Sequence, residues 1–104
     1  MNLGIDYFKL VGRKIVKCAS EQEGMEQFGP SRLLFHTGNA DLRVSTVFLV
    51  FDHGHGFTSK PLLFETMVFG GAFDREMERY CTYDEAEYGH KAWVAKVFPA
   101  LVRA

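Results

Sequence analysis

The chain has 104 residues, 47% of them hydrophobic, with ten Phe, four Tyr and one Trp. That is enough apolar side chain for one packed core and too little length for two, so a single domain over 1–104 is expected and disorder is not. A formal net charge of −1 supplies no global field to draw nucleic acid and no acid surplus to mimic it, so nucleic acid is not expected as a partner.

The opening stretch MNLGIDYFKL carries Asp6 and has no apolar h-region, which argues against a signal peptide. No later stretch reaches the roughly 18 uncharged apolar residues of a membrane helix. A cytoplasmic protein without a membrane partner is expected. Two cysteines, Cys18 and Cys81, are too few to staple a fold with this much apolar content and are expected to be reduced.

YFKLVGRKIVKC, from Tyr7 to Cys18, has two β-prone runs around Gly12-Arg13 and predicts a hairpin. Ser20 and Glu23 then have capping-box spacing and open a short helix from Glu21 to Phe28, stopped by Gly29-Pro30. Gly24 within it costs about 1 kcal/mol relative to Ala, so Met25 and Phe28 are expected to anchor this helix by packing.

RLLFHT and LRVSTVFLVF read as strands joined by the turn GNAD. The second has Val44, Thr46, Phe48 and Val50 on one side and Val47, Leu49 and Phe51 on the other, the mark of a central strand with two apolar faces. PLLFETMVFGG follows as its antiparallel neighbour, so strands over 42–52 and 61–70 are expected in the middle of the sheet. ERYCT adds a short strand. Thr82 and Glu85 repeat the capping-box spacing, and a helix over 83–98 carries Ala86, His90, Trp93, Val94 and Val97 on one stripe before Pro99. The fold class expected is α+β: an antiparallel sheet of about five strands, a C-terminal helix on one face and a short N-terminal helix.

Charge is uneven. Between residues 63 and 89, Glu65, Asp74, Glu76, Glu78, Asp84, Glu85 and Glu87 are opposed only by Arg75 and Arg79, while Lys9, Arg13, Lys14 and Lys17 make the start basic. On opposite faces these segments would give a dipolar surface able to orient a partner; the simpler expectation is a solvated hairpin and helix face.

The strings RVSTVFL with the following DH, PLLFETMVFGG and ERYCTYDEAEYGH resemble a family of small proteins of tailed phages and prophages. The resemblance covers 43–90 and implies a virus-encoded accessory protein working in the cytoplasm of a bacterial host. Its expected action is binding of a host protein, most concretely to inhibit a defence system such as CRISPR. Sequestration of a small nucleotide signal, and self-association, stay open as variants. No cofactor is implied. Asp52, His53, Glu65 and His90 lie inside the matching strings, whereas His55 does not.

Asp52, His53 and His55 have the donor types of a transition-metal site, and H-x-H on an extended strand points both rings to one face. A complete set would need Glu65 or His90 beside them, which would favour a metal-dependent hydrolase. The simpler reading is the tip of a hairpin. Glu65 interrupts an apolar run and needs a partner such as Arg43, Arg79 or His90, unless it serves as a general base. His90, on the apolar stripe beside Gly89, is expected to bond a buried acid. Cys81 would be a nucleophile only with a histidine beside it.

Phe57 and Phe73, flanked by Lys60, Asp74 and Arg75, combine large aromatics with a polar rim, the composition of an interface centre; either could instead close over the core as a lid. The acidic helix start at Asp84, Glu85 and Glu87 is the next candidate surface.

Overall fold

The computed structural model describes residues 5–54 and 60–102. At Gly12 the backbone takes φ 66°, a left-handed value that side chains with a Cβ resist. This turns β1 (Phe8–Val11) back onto β2 (Lys14–Lys17), with Val11 opposite Lys14. The hairpin is a two-stranded sheet of its own. It is stitched to the rest by the Phe8 amide, which donates to the Val50 carbonyl at 2.7 Å, and by a bridge between Tyr7 and Phe51.

Helix α1 (Glu21–Glu26) starts where the Ser20 hydroxyl accepts from the Glu23 amide. The Glu23 carboxylate accepts from Ala19 at 2.7 Å, instead of Ser20, and pairs with Lys9 at 2.9 Å. Its anchoring differs from expectation. Met25 is 56% exposed. Gly24 is the buried residue, and a Cβ there would lie 2.3 Å from Tyr7 Cβ. The glycine that weakens the helix is the one that lets it touch β1's approach; Phe28 adds ring contacts to Tyr7 and Phe51.

After a 3-10 turn (Pro30–Arg32), the main sheet comprises β3 (Leu33–Gly38), β4 (Arg43–Phe48), β5 (Phe64–Phe69) and β6 (Met77–Tyr80). All neighbours are antiparallel, in the order β3-β4-β5-β6. The expected pair β4 and β5 is central. A single sheet of about five strands is corrected to two sheets of two and four strands: the first hairpin pairs with the chain beyond β4 and not with an edge of the main sheet.

Period-2 alternation buries Val44, Thr46 and Phe48 together with Phe64, Thr66 and Val68. Helix α2 (Tyr83–Val97) covers this face through Ala86, Gly89 and His90. Its capping box is complete, Thr82 and Glu85 each accepting from the other's backbone amide. Pro99 ends it and opens a short α3 (Pro99–Val102). The core of Phe48, Val50, Leu63, Phe64, Tyr80 and Ala86 is extended by Tyr7, Phe8, Leu10 and Ile15 from the hairpin side.

The alternation expected through residue 52 fails after Phe48. Val50 takes φ 75°, an outlier for a β-branched residue. The turn it makes sends both Leu49 and Val50 inward, where both are buried. Among the described residues no helix is long and apolar enough to cross a membrane.

Candidate functional site

With α2 on one face, the other face of the main sheet carries no helix among the described residues. Strand register sets its side chains in rows: Leu33, Val47, Glu65 and Arg79 in one; His36, Ser45, Met67 and Met77 in the next; Gly38, Arg43 and Phe69 in the last. Arg79 Nε donates to Glu65 Oε2 at 3.0 Å across β5 and β6, so the odd carboxylate has its partner in the row beside it. The Arg43 guanidinium lies 4.1 Å from the Phe69 ring centroid. Arg43, Ser45, Val47, Glu65, Met67 and Phe69 line a shallow depression of about 230 Å³. Leu33 and Met77, at the two edges, are 48% and 46% exposed. The two apolar faces expected of β4 do mark a central strand, but only the face of Val44, Thr46 and Phe48 is buried. Arg43, Ser45 and Glu65, spaced by two on neighbouring strands, were the signal of an open face.

The covered face holds a chain of polar side chains under α2. Thr37 Oγ1 lies 3.0 Å from His90 Nε2, His90 Nδ1 lies 2.7 Å from Thr46 Oγ1, and Thr46 lies 2.6 Å from Thr66. Tyr80 Oη joins Thr66 at 3.1 Å and Glu78 at 3.0 Å, and the Trp93 indole donates to the same Glu78 oxygen at 3.1 Å. His90 thus bonds two threonines and not the buried acid expected of it. No local pattern announces this chain, because its members come from four strands and a helix. Burial pushes the Tyr80 phenol up to about 12, so it stays a hydrogen-bond donor. Burial, with the nearby His36 adding in the same direction, holds His90 below its ordinary value.

A pH dependence follows. The unfolded chain takes up the His90 proton first, so this residue's contribution is complete above its ordinary 6.5 and is lost as pH falls from there toward the lower folded value. One proton limits the slope to about 1.4 kcal/mol per pH unit. Thermal melts through this range should show a shallower acid-side loss for His90→Gln than for the wild type; equal slopes would assign the loss to other groups.

The rim between β4 and β5 is held by Asp52, whose Oδ1 accepts from the amides of Gly54 at 2.7 Å and Leu62 at 2.8 Å. His53 stacks on Phe51 with centroids 4.4 Å apart and donates from Nδ1 to the Phe51 carbonyl at 3.0 Å. His55 and Phe57 lie outside the described residues. Among the described residues no three His, Cys, Asp or Glu side chains gather as a metal ion requires. Lys60 is exposed, and its carbonyl lies 3.9 Å from Cys81 Sγ. Both cysteines are free, and burial followed by the Glu85 carboxylate pushes the Cys81 thiol up.

Phe73, Asp74 and Arg75 lie at the far end of β5 from that rim, because a meander puts successive turns at opposite ends. Phe73 meets the edge of Trp93 at 6.4 Å and sits under the Lys96 ammonium at 4.8 Å. Asp74 Oδ1 accepts from the Gly70 amide at 2.7 Å, and Arg75 is exposed with φ 69°. At the helix start, Asp84 and Glu87 both take Arg13 at 3.3 Å, while Glu85 is held in the capping box. The basic hairpin turn and the acidic helix start therefore meet, and do not occupy opposite faces as a dipolar surface would require. A groove of about 540 Å³ between β6 and α2, lined by Glu78, Tyr80, Asp84, Glu85 and Tyr88, has these carboxylates engaged within the protein.

No family model matches the chain, and no curated protein or solved structure matches it significantly.

Proposed function

We propose that this protein acts by binding a protein partner through the uncovered face of its four-stranded sheet. One observation carries the reading. Val47, Met67, Phe69 and Met77 form an apolar centre on a face that no helix covers among the described residues, bordered by Arg43 and by the Glu65–Arg79 pair. Methionine, aromatic and arginine side chains around an apolar centre are what interface cores are enriched in. Following the resemblance to tailed-phage and prophage proteins, the proposed partner is a bacterial host component in the host cytoplasm. Inhibition of a defence system such as CRISPR is the proposed outcome.

The roles of the acid and imidazole groups support binding over turnover. Asp52 closes the rim, His53 packs on Phe51, Glu65 holds Arg79, and His90 ties α2 to β3 and β4.

Affinity capture from infected cells, analysed for both proteins and small molecules, identifies the partner; Met67→Glu then tests the face. A charge at an interface centre should cost at least about 2 kcal/mol, or roughly 30-fold in Kd, with the melting temperature little changed because Met67 is only partly buried. Undiminished binding by a folded Met67→Glu protein would move the interface elsewhere. Recovery of a nucleotide and no protein would replace this reading with sequestration.

A further inference from the structure

A carboxylate only accepts hydrogen bonds, and that restriction propagates through the buried chain. Glu78 Oε1 is 3.0 Å from Tyr80 Oη, so the Tyr80 hydroxyl donates to it. Its one proton is then used, and the 3.1 Å contact with Thr66 is made by the Thr66 hydroxyl donating to Oη. Thr66 Oγ1 is left to accept, so Thr46 donates to it at 2.6 Å. Thr46 Oγ1 must then accept from His90 Nδ1–H at 2.7 Å, which leaves Nε2 bare to accept from the Thr37 hydroxyl at 3.0 Å.

We propose that Thr37, His90, Thr46, Thr66, Tyr80 and Glu78 form a one-directional hydrogen-bond relay, through which the exposed Glu78 carboxylate sets the tautomer of buried His90 as Nδ1–H. Burial makes the orientation binding on the interior members: Thr46 and Thr66 are 0% exposed and His90 is 6% exposed, so none of these can turn a stray proton toward water. No buried side-chain polar atom among the described residues lacks a partner, and of the two directions in which every proton finds an acceptor this is the one that also puts a proton in the 3.0 Å Glu78–Tyr80 contact. The neutral ring favoured by burial has one N–H to place, and the relay places it. The relay crosses the whole sheet, from β6 at one edge to Thr37 on β3 at the other. A cationic group that draws Glu78 off Tyr80 removes the acceptor that orients it. Reversal then makes His90 Nε2–H donate to Thr37, and frees the Thr37 hydroxyl to donate at the β3 edge.

Long-range proton–nitrogen correlation of the imidazole, at slightly alkaline pH, reads the tautomer directly. The wild type should show a protonated Nδ1 and a bare Nε2. Thr66→Val leaves the Thr46 proton only His90 Nδ1 as acceptor and should move the ring proton to Nε2. Tyr80→Phe, a second variant should the first not fold, lets Thr66 turn its hydroxyl back to Thr46 and should give the same exchange. A wild-type Nε2–H ring or a tautomer mixture overturns the proposal, as does an Nδ1–H ring that persists in either folded variant.

Discussion

Phe64→Ala is expected to lower stability by about 3–5 kcal/mol, a large part of the roughly 5–15 kcal/mol that holds a domain of this kind together. Phe64 is 0% exposed and stands where β5 begins, opposite Phe48 on β4 and Tyr80 on β6. Its ring meets Phe48 at 5.4 Å and the edge of Tyr83 at 6.2 Å, so truncation opens a cavity where sheet, helix and hairpin converge. Little can collapse into it, since Leu63 and Val50 in the same cluster are themselves fully buried. Phe69→Ala, five residues along the same strand but on the uncovered face, should cost less than half as much by denaturant titration. Equal losses would show that the second face is covered after all, and would remove the surface proposed for binding.

Gly89→Ala reverses the sign that helix propensity alone assigns. In an exposed helix interior the change gains about 1 kcal/mol. Here a Cβ would lie 2.2 Å from Tyr80 Oη and 2.3 Å from Cζ, well inside van der Waals contact. Tyr80 is 8% exposed and bonded to Thr66 and Glu78, so it cannot swing away without breaking the relay. A net loss of about 1–3 kcal/mol is expected. The loss should shrink in a Tyr80→Ala background, giving a non-additive double-mutant cycle. A stabilising Gly89→Ala would mean that α2 stands farther from β6.

Several local features were legible in the residue order because their causes are local. The Gly12 turn, the Thr82 capping box, the stop at Pro99 and the central pairing of β4 with β5 depend on φ preference, cap spacing and alternation within short windows. The carboxylate of Glu65 was legible as a group in need of a partner, with Arg79 among the choices; the strand register made Arg79 the neighbour.

The candidate site was less legible. Val50 sits in a left-handed backbone conformation that its residue type disfavours, so no pattern in the chain could place the end of β4. The partners of His90 were misjudged because threonines on separate strands satisfy it as well as an acid would, and only the fold brings Thr37 and Thr46 to its two nitrogens.

By itself the sequence determined the α+β class, the hairpins, the cap of α2 and the pair of central strands, because those follow from period, turn chemistry and capping over a few residues. Tertiary structure alone decided that the first hairpin forms a separate sheet, that α2 packs on one face of the main sheet, and that Arg13 neutralises the start of α2. It also decided which hydroxyl donates to which along the relay. The physical reason is common to all of these: each depends on which surfaces meet across long chain separations, and hydrophobic burial, being non-directional, does not encode that choice in any single segment.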